Sequence, residues 1–129
     1  MKIEHLAIWT DNIEKLKDFY ETYFEARSNQ KYINKNTMFE SYFLSFSEGC
    51  RIEIMQKPSV QDKYEDESKN YKGLTHLAIS VGSEAKVLSL TNRLREDGYN
   101  ILSEPRVTGD GYFESVIGDP DGNRIEITV

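Results

Sequence analysis

The chain repeats itself. His5-Leu6-Ala7-Ile8 returns as His76-Leu77-Ala78-Ile79, and Arg51-Ile52-Glu53-Ile54 returns as Arg124-Ile125-Glu126-Ile127. The order is the same in both copies, and the His-to-Glu separation is 48 residues in the first and 50 in the second. Two tetrapeptides recurring in register identify a duplicated supersecondary module, and duplication limits the folds available more than any propensity does. At 129 residues the chain has room for two such modules in one ordinary domain.

Each copy parses in the same way. Residues 2–10 and 74–81 alternate as strands. In the first copy Asp11, with Glu14 three positions on, opens a helix as a variant capping box. Its apolar positions Ile13, Leu16, Tyr20, Tyr23 and Phe24 recur at the spacing of a face packed on a sheet. In the second copy Ser83 caps a helix whose stripe is Val87, Leu90, Thr91 and Leu94, and Gly98 takes the left-handed position after it. Three strands complete each module, at 27–34, 38–46 and 51–57 and at 99–105, 111–117 and 124–129. Turns at Ser47-Glu48-Gly49-Cys50 and Asp119-Pro120-Asp121-Gly122-Asn123 supply the backbone angles. The expectation is an α+β fold of two tandem βαβββ modules forming one curved mixed sheet, a single domain over 1–129. Module one covers 1–57, a polar connector 58–73, and module two 74–129. The connector core, residues 61–70, reads as a solvated surface loop, with a flap over a site as the alternative.

Strand alternation assigns the side chains to faces. Leu6 and Ile8 turn toward the helix, and so do Leu77, Ile79 and Val81. His5, Ala7 and Trp9 share the opposite face, as do His76, Ala78 and Ser80. The same parity puts Ile52, Ile54, Ile125 and Ile127 under the helices and Glu53 and Glu126 on the histidines' face. Two carboxylates on a partly dehydrated face need a cationic answer. Arg51 and Arg124, each two residues from its Glu, offer one. The chain's only two histidines, at equivalent positions beside equivalent glutamates, offer another: one divalent metal ion held by His5, Glu53, His76 and Glu126. Nitrogen and carboxylate oxygen donors suit Zn, Ni, Co, Mn or Fe. Two carboxylates neutralise the 2+ charge, and four protein ligands leave an octahedral ion two positions for water or substrate oxygens.

Composition narrows the partners. Sixteen Lys and Arg against 22 Asp and Glu give a net charge of −6, which repels phosphate backbones, so no nucleic acid partner is expected. No apolar run reaches membrane-spanning length and the N-terminus does not read as a signal peptide, so neither a membrane partner nor secretion is expected. The single cysteine, Cys50, excludes an intrachain disulfide and fits a reducing, cytoplasmic setting; it reads as an inert thiol.

With the paired modules, the strand-borne His5 and His76, Glu53 and the closing run from Asp119 to Glu126, the chain resembles the glyoxalase, bleomycin-resistance and dioxygenase group, the vicinal oxygen chelate superfamily, over essentially its whole length. The His, Glu, His, Glu order is similar to glyoxalase I (lactoylglutathione lyase). Bleomycin-binding members lack the metal, and fosfomycin-resistance transferases and extradiol dioxygenases use three ligands. The resemblance implies a metal-dependent lyase or isomerase in which the metal chelates a hemithioacetal-like substrate. Glu53 or Glu126 then carries a proton between neighbouring carbons through an enediolate. An epimerase or thiol transferase on the same metal, or a non-catalytic binding protein, are the competing functions. Bacterial glyoxalase I commonly has an Arg four residues after the first His and an Asn four after the first Glu for glutathione; here those positions are Trp9 and Lys57. Trp9 is then a wall for an apolar or aromatic substrate and Lys57 a contact for an anionic group. Tyr112, after Gly109-Asp110-Gly111, is a third substrate-binding candidate. A small-molecule substrate and a homodimer are the expected partners, with the site closed either within one chain or across two copies.

Overall fold

The computed structural model describes residues 1–62 and 71–129. The connector core expected over 61–70 falls mostly outside the described residues. The chain divides there into two units, Met1–Glu65 and Asp66–Val129.

The first unit runs β1 (His5–Trp9), α1 (Ile13–Phe24), β2 (Arg27–Ser28), β3 (Tyr32–Asn34), β4 (Phe39–Ser45) and β5 (Arg51–Gln56). Its strands form a mixed sheet of order β1-β5-β4-β2, with β3 also paired to β4. β1 and β5 are parallel and the other pairs antiparallel. The second unit runs β6 (Leu77–Ser80), α2 (Glu84–Glu96), β7 (Ile101–Val107), β8 (Phe113–Gly118) and β9 (Arg124–Thr128), with sheet order β6-β9-β8-β7 and β6 parallel to β9. The two modules therefore share a topology, and each builds its own mixed sheet.

The helix packs on one face of each sheet. Under α1 lie Leu44, Ile52 and Ile54; under α2 lie Ile117, Ile125 and Ile127, all buried. Burying such a side chain stabilises by about 1.5–3 kcal/mol, so the alternation Ile-Glu-Ile in β5 and β9 leaves little freedom in which face meets the helix. A one-residue slip would exchange isoleucine for glutamate.

Several local expectations are corrected. Asn12, not Asp11, caps α1: its Oδ1 accepts the Lys15 amide at 3.1 Å, while Thr10 Oγ1 accepts the amide of Asn12 at 3.0 Å. The buried stripe of α1 includes Phe19, and Tyr23 sits at its margin. The strand expected over 27–34 is broken in two, because Asn29 Oδ1 takes the Phe43 amide at 2.8 Å in place of a ladder carbonyl. β7 is a bulged edge strand, its register shifting on either side of Ser103. Pro105 within it has no N–H to give a neighbour, which an edge position tolerates. Ser83 does cap α2, accepting the Lys86 amide, and Gly98 does adopt a positive φ of 86°.

The closing turn is held from inside. Asp119, buried, accepts the amides of Asp121 and Asn123 at 3.0 and 2.8 Å and the side-chain amide of Asn123 at 2.9 Å, while Gly122 adopts a φ of 82°. This turn sets where β9, and with it Glu126, begins.

Candidate functional site

Each unit brings one histidine to one glutamate, by the same construction. In the parallel pairing of β1 with β5, Ala7 lies opposite Glu53; in that of β6 with β9, Ala78 lies opposite Glu126. The alanine methyl leaves the face open, and the histidine two residues earlier leans over it. His5 Nε2 stands 3.7 Å from Glu53 Oε2, and His76 Nε2 stands 3.4 Å from Glu126 Oε2. Both carboxylates are largely covered, at 17% and 19% exposure, whereas the histidines are more open at 38% and 44%. Among the described residues no group of three or more His, Cys, Asp or Glu side chains that could hold a metal is gathered. The structure thus shows two His–Glu pairs, one in each unit.

The surroundings of the two pairs differ. In the first unit Glu4 contacts His5 Nδ1 and also Arg51 Nη2. These two contacts, His5 first, hold the Glu4 carboxyl below its usual range. Arg51 is therefore committed to Glu4 and stacked 4.2 Å above the Phe43 ring, rather than paired with Glu53. The alternative of an Arg–Glu pair does not describe this unit. With Nδ1–H directed at Glu4, Nε2 is the nitrogen left facing Glu53, the arrangement by which a carboxylate orients a metal-binding imidazole. Phe43, opposite Glu53 in the β4–β5 ladder, closes the flank with its ring edge-on to His5 at 5.3 Å.

In the second unit the pair opens into a pocket of about 430 Å³ lined by His76, Asp110, Tyr112, Glu114, Glu126 and Thr128, among others. Glu114 is a buried carboxylate from β8, held 3.5 Å from Arg106 of β7 and lining the same pocket as Glu126. Burial raises the Glu126 carboxyl above its usual range; the adjacent Glu114 and more distant Asp110 push it further, while His76 opposes them. Tyr112 is exposed at the rim, where its amide donates to Thr108 Oγ1 and its carbonyl accepts the Thr108 amide.

The remaining expected residues are accounted for in place. Trp9 is exposed on the first unit's open face, and Lys57 Nζ lies 4.8 Å from its ring centroid. Cys50 is a partly covered free thiol in the turn before β5. Glu4, Phe43 and Glu114 are neighbours of the pairs that the sequence reading did not select. Glu4 adjoins a histidine in sequence, which was a usable signal. Phe43 and Glu114 become neighbours only through antiparallel register, which no short motif encodes.

Among the described residues, no helix is long and apolar enough to cross a membrane. The sequence model of the Glyoxalase/Bleomycin resistance protein/Dioxygenase superfamily matches residues 2–127. No curated protein matches the chain. Among solved structures it is similar to glyoxalase I from Zea mays, at 19% identity and a TM-score of 0.79, covering 98% of this chain and 44% of the maize chain. It therefore spans less than half the length of that protein. It is also similar to the trypanothione-dependent glyoxalase I of Leishmania major, at 21% identity, a TM-score of 0.77 and coverage of 99% and 86%. A glyoxalase family protein from Enterococcus faecalis matches at 22% identity and a TM-score of 0.78, covering 99% and 97%. At these identities the likeness is one of fold.

Proposed function

Because the chain belongs to the glyoxalase, bleomycin-resistance and dioxygenase superfamily, we propose that it is a metal-dependent lyase or isomerase of the glyoxalase I kind, moving a proton between adjacent carbons of an oxygenated small molecule. The observation that carries this reading is the duplicated His–Glu pair, with Nε2 to Oε2 distances of 3.7 and 3.4 Å. The donor chemistry fits a divalent ion: His5, Glu53, His76 and Glu126 would hold it with two nitrogens and two charge-balancing oxygens. When bound, such an ion supplies Lewis acidity that makes a neighbouring carbon-bound hydrogen easier to remove.

The chain's own groups do the rest. Glu4 holds the His5 ring by Nδ1, so that Nε2 stays directed at the site. Glu126 borders the pocket, where a substrate has room beside it, and we assign it the proton transfer: its carboxylate takes the proton from one carbon and returns it to the next. Glu53, packed against Phe43 and His5, has the holding role. Since each unit supplies two of the four groups, the complete set needs the two kinds of half-site to face one another. We place this at a homodimer interface, with His5 and Glu53 of one copy facing His76 and Glu126 of the other.

Metal analysis of the purified protein beside His5→Ala and Glu126→Gln tests the reading. The expected result is a loss of bound divalent metal in both variants, and undiminished metal in both refutes it. Turnover of the methylglyoxal–glutathione hemithioacetal, compared with adducts of other thiols, tests the reaction. Glu126→Gln is expected to lower kcat by about 10²–10⁴-fold. Trp9 and Lys57, in the places where glutathione contacts are expected, favour a second reading, an epimerase or thiol transferase on the same metal. Inactivity toward every hemithioacetal would select it.

A further inference from the structure

The two units diverge one row beyond their shared His–Glu pair. In the second unit the next row across the sheet is Ser80, Thr128, Glu114 and Arg106, small or polar throughout. In the first unit the corresponding row is Trp9, Met55, Ser41 and Tyr32. Ser41, the smallest of the four, is buried, while Trp9 and Tyr32 stay 44% and 54% exposed. Phe39 stands between them: its ring meets Trp9 edge-on at 6.0 Å and Tyr32 at 6.1 Å. Three aromatic rings thus surround a small residue on the open face of the sheet, away from the helix and the core.

Such rings left in water are unfavourable unless something covers them. A single cation marks their edge. Lys57 Nζ lies 4.8 Å from the Trp9 centroid, and among the described residues no carboxylate is within ion-pair distance of it. Arg51, which also lies on this face, is already taken by Glu4. The duplication does not account for this arrangement, since the second unit carries Ser80, Thr128 and Arg106 where the first has Trp9, Met55 and Tyr32.

Resting on the metal-site reading above, we propose that Trp9, Phe39, Tyr32 and Lys57 form the subsite for the unreacting end of the substrate, and that this end is an aromatic ring carrying a carboxylate. The rings supply flat apolar walls, and Lys57 supplies one charge for one anion. A tripeptide thiol, with several charges and little apolar surface, matches these walls poorly.

The chain's only tryptophan is part of the proposed subsite, so its emission reports occupancy directly. The probes are 3-phenylpropionate and its uncharged counterpart 3-phenylpropanol, titrated into the metal-loaded protein. The acid is expected to bind about tenfold more tightly than the alcohol, equivalent to about 1.4 kcal/mol. Lys57→Ala should erase that difference while leaving the alcohol's affinity unchanged, and Phe39→Ala should weaken both probes. The same titration in Glu126→Gln separates the two readings. Unchanged binding there supports the subsite whatever the metal analysis of that variant shows. Acid binding lost in Glu126→Gln but kept in Lys57→Ala would mean the carboxylate goes to the metal site and would overturn the proposal. Equal affinity for acid and alcohol, or unaltered Trp9 emission with both, would overturn it as well.

Discussion

Replacing Asp119 by alanine probes the element that positions Glu126. Its carboxylate accepts hydrogen bonds from the amides of Asp121 and Asn123 at 3.0 and 2.8 Å and from the Asn123 side chain at 2.9 Å. The aspartate is only 5% exposed, so water cannot fully replace it as an acceptor. Bonds to a charged group contribute about 1.5–3 kcal/mol each. The donors are only partly buried and recover some hydration, which brings the sum down to about 2–3 kcal/mol. For a domain of this size 1 kcal/mol corresponds to about 3–5 °C in Tm, so the melting temperature should fall by about 6–15 °C. Asp119→Asn keeps an acceptor for the two backbone amides and loses the charge and the bond from Asn123 Nδ2, so it should cost about 1 kcal/mol. Urea unfolding followed by far-UV circular dichroism measures both, with an unchanged slope confirming that the native state is what shifts. Asp119→Ala within about 0.5 kcal/mol of wild type, or Asp119→Asn as costly as the alanine, would show that the turn is held by its backbone angles alone.

Further outcomes follow from single contacts. Thr91 Oγ1 lies 2.7 Å from both the Val87 carbonyl and Ser115 Oγ in the core under α2. Thr91→Val should cost about 1–2 kcal/mol by stranding the serine hydroxyl, and adding Ser115→Ala should restore part of it, read as a coupling energy in a double-mutant cycle. Ile54→Ala, fully buried beneath α1, should cost about 2–5 kcal/mol in the same unfolding assay. Glu21 has its carboxyl lowered below the ordinary 4.5, first by the Ser28 hydroxyl at 2.6 Å and then by the Ser28 amide, with burial opposing. A depressed carboxyl contributes stability that is complete above its unfolded value and lost as pH falls through its folded value. The stability gap between wild type and Glu21→Gln should therefore be present at neutral pH and close on acidification below 4.5; a gap independent of pH would refute it. Glu4→Gln, which loosens the grip on His5, should weaken metal binding by about 10–100-fold by competition with a chromogenic chelator.

Much of the architecture was legible because each module states its pattern in one short window. Ile-Glu-Ile in β5 and β9 names a covered face and an open one, and Ser83 and Gly98 bracket α2 by their own side-chain and backbone chemistry. Where a competing local bond decided the matter, the reading missed. Asn12 outcompetes Asp11 as the cap because its oxygen reaches the Lys15 amide, and Asn29 splits a strand by taking the Phe43 amide for its side chain. The division into two sheets was likewise not legible, because hydropathy alternation names faces and does not name partners.

The same boundary runs through the candidate site. Sequence alone determined that His5 shares a face with Glu53, and His76 with Glu126, because a strand's two-residue period needs no partner to be read. Tertiary structure decided what surrounds each pair. Register across the ladders put Phe43 beside one, and Glu114 and a pocket beside the other. Those neighbours come from strands distant in the chain, and which residue lies opposite which is set by turns, bulges and the packing of a whole sheet at once. With the same register in both units, the repeated tetrapeptides sit in different environments because the residues facing them differ, Phe43 against Val116 and Ser41 against Glu114.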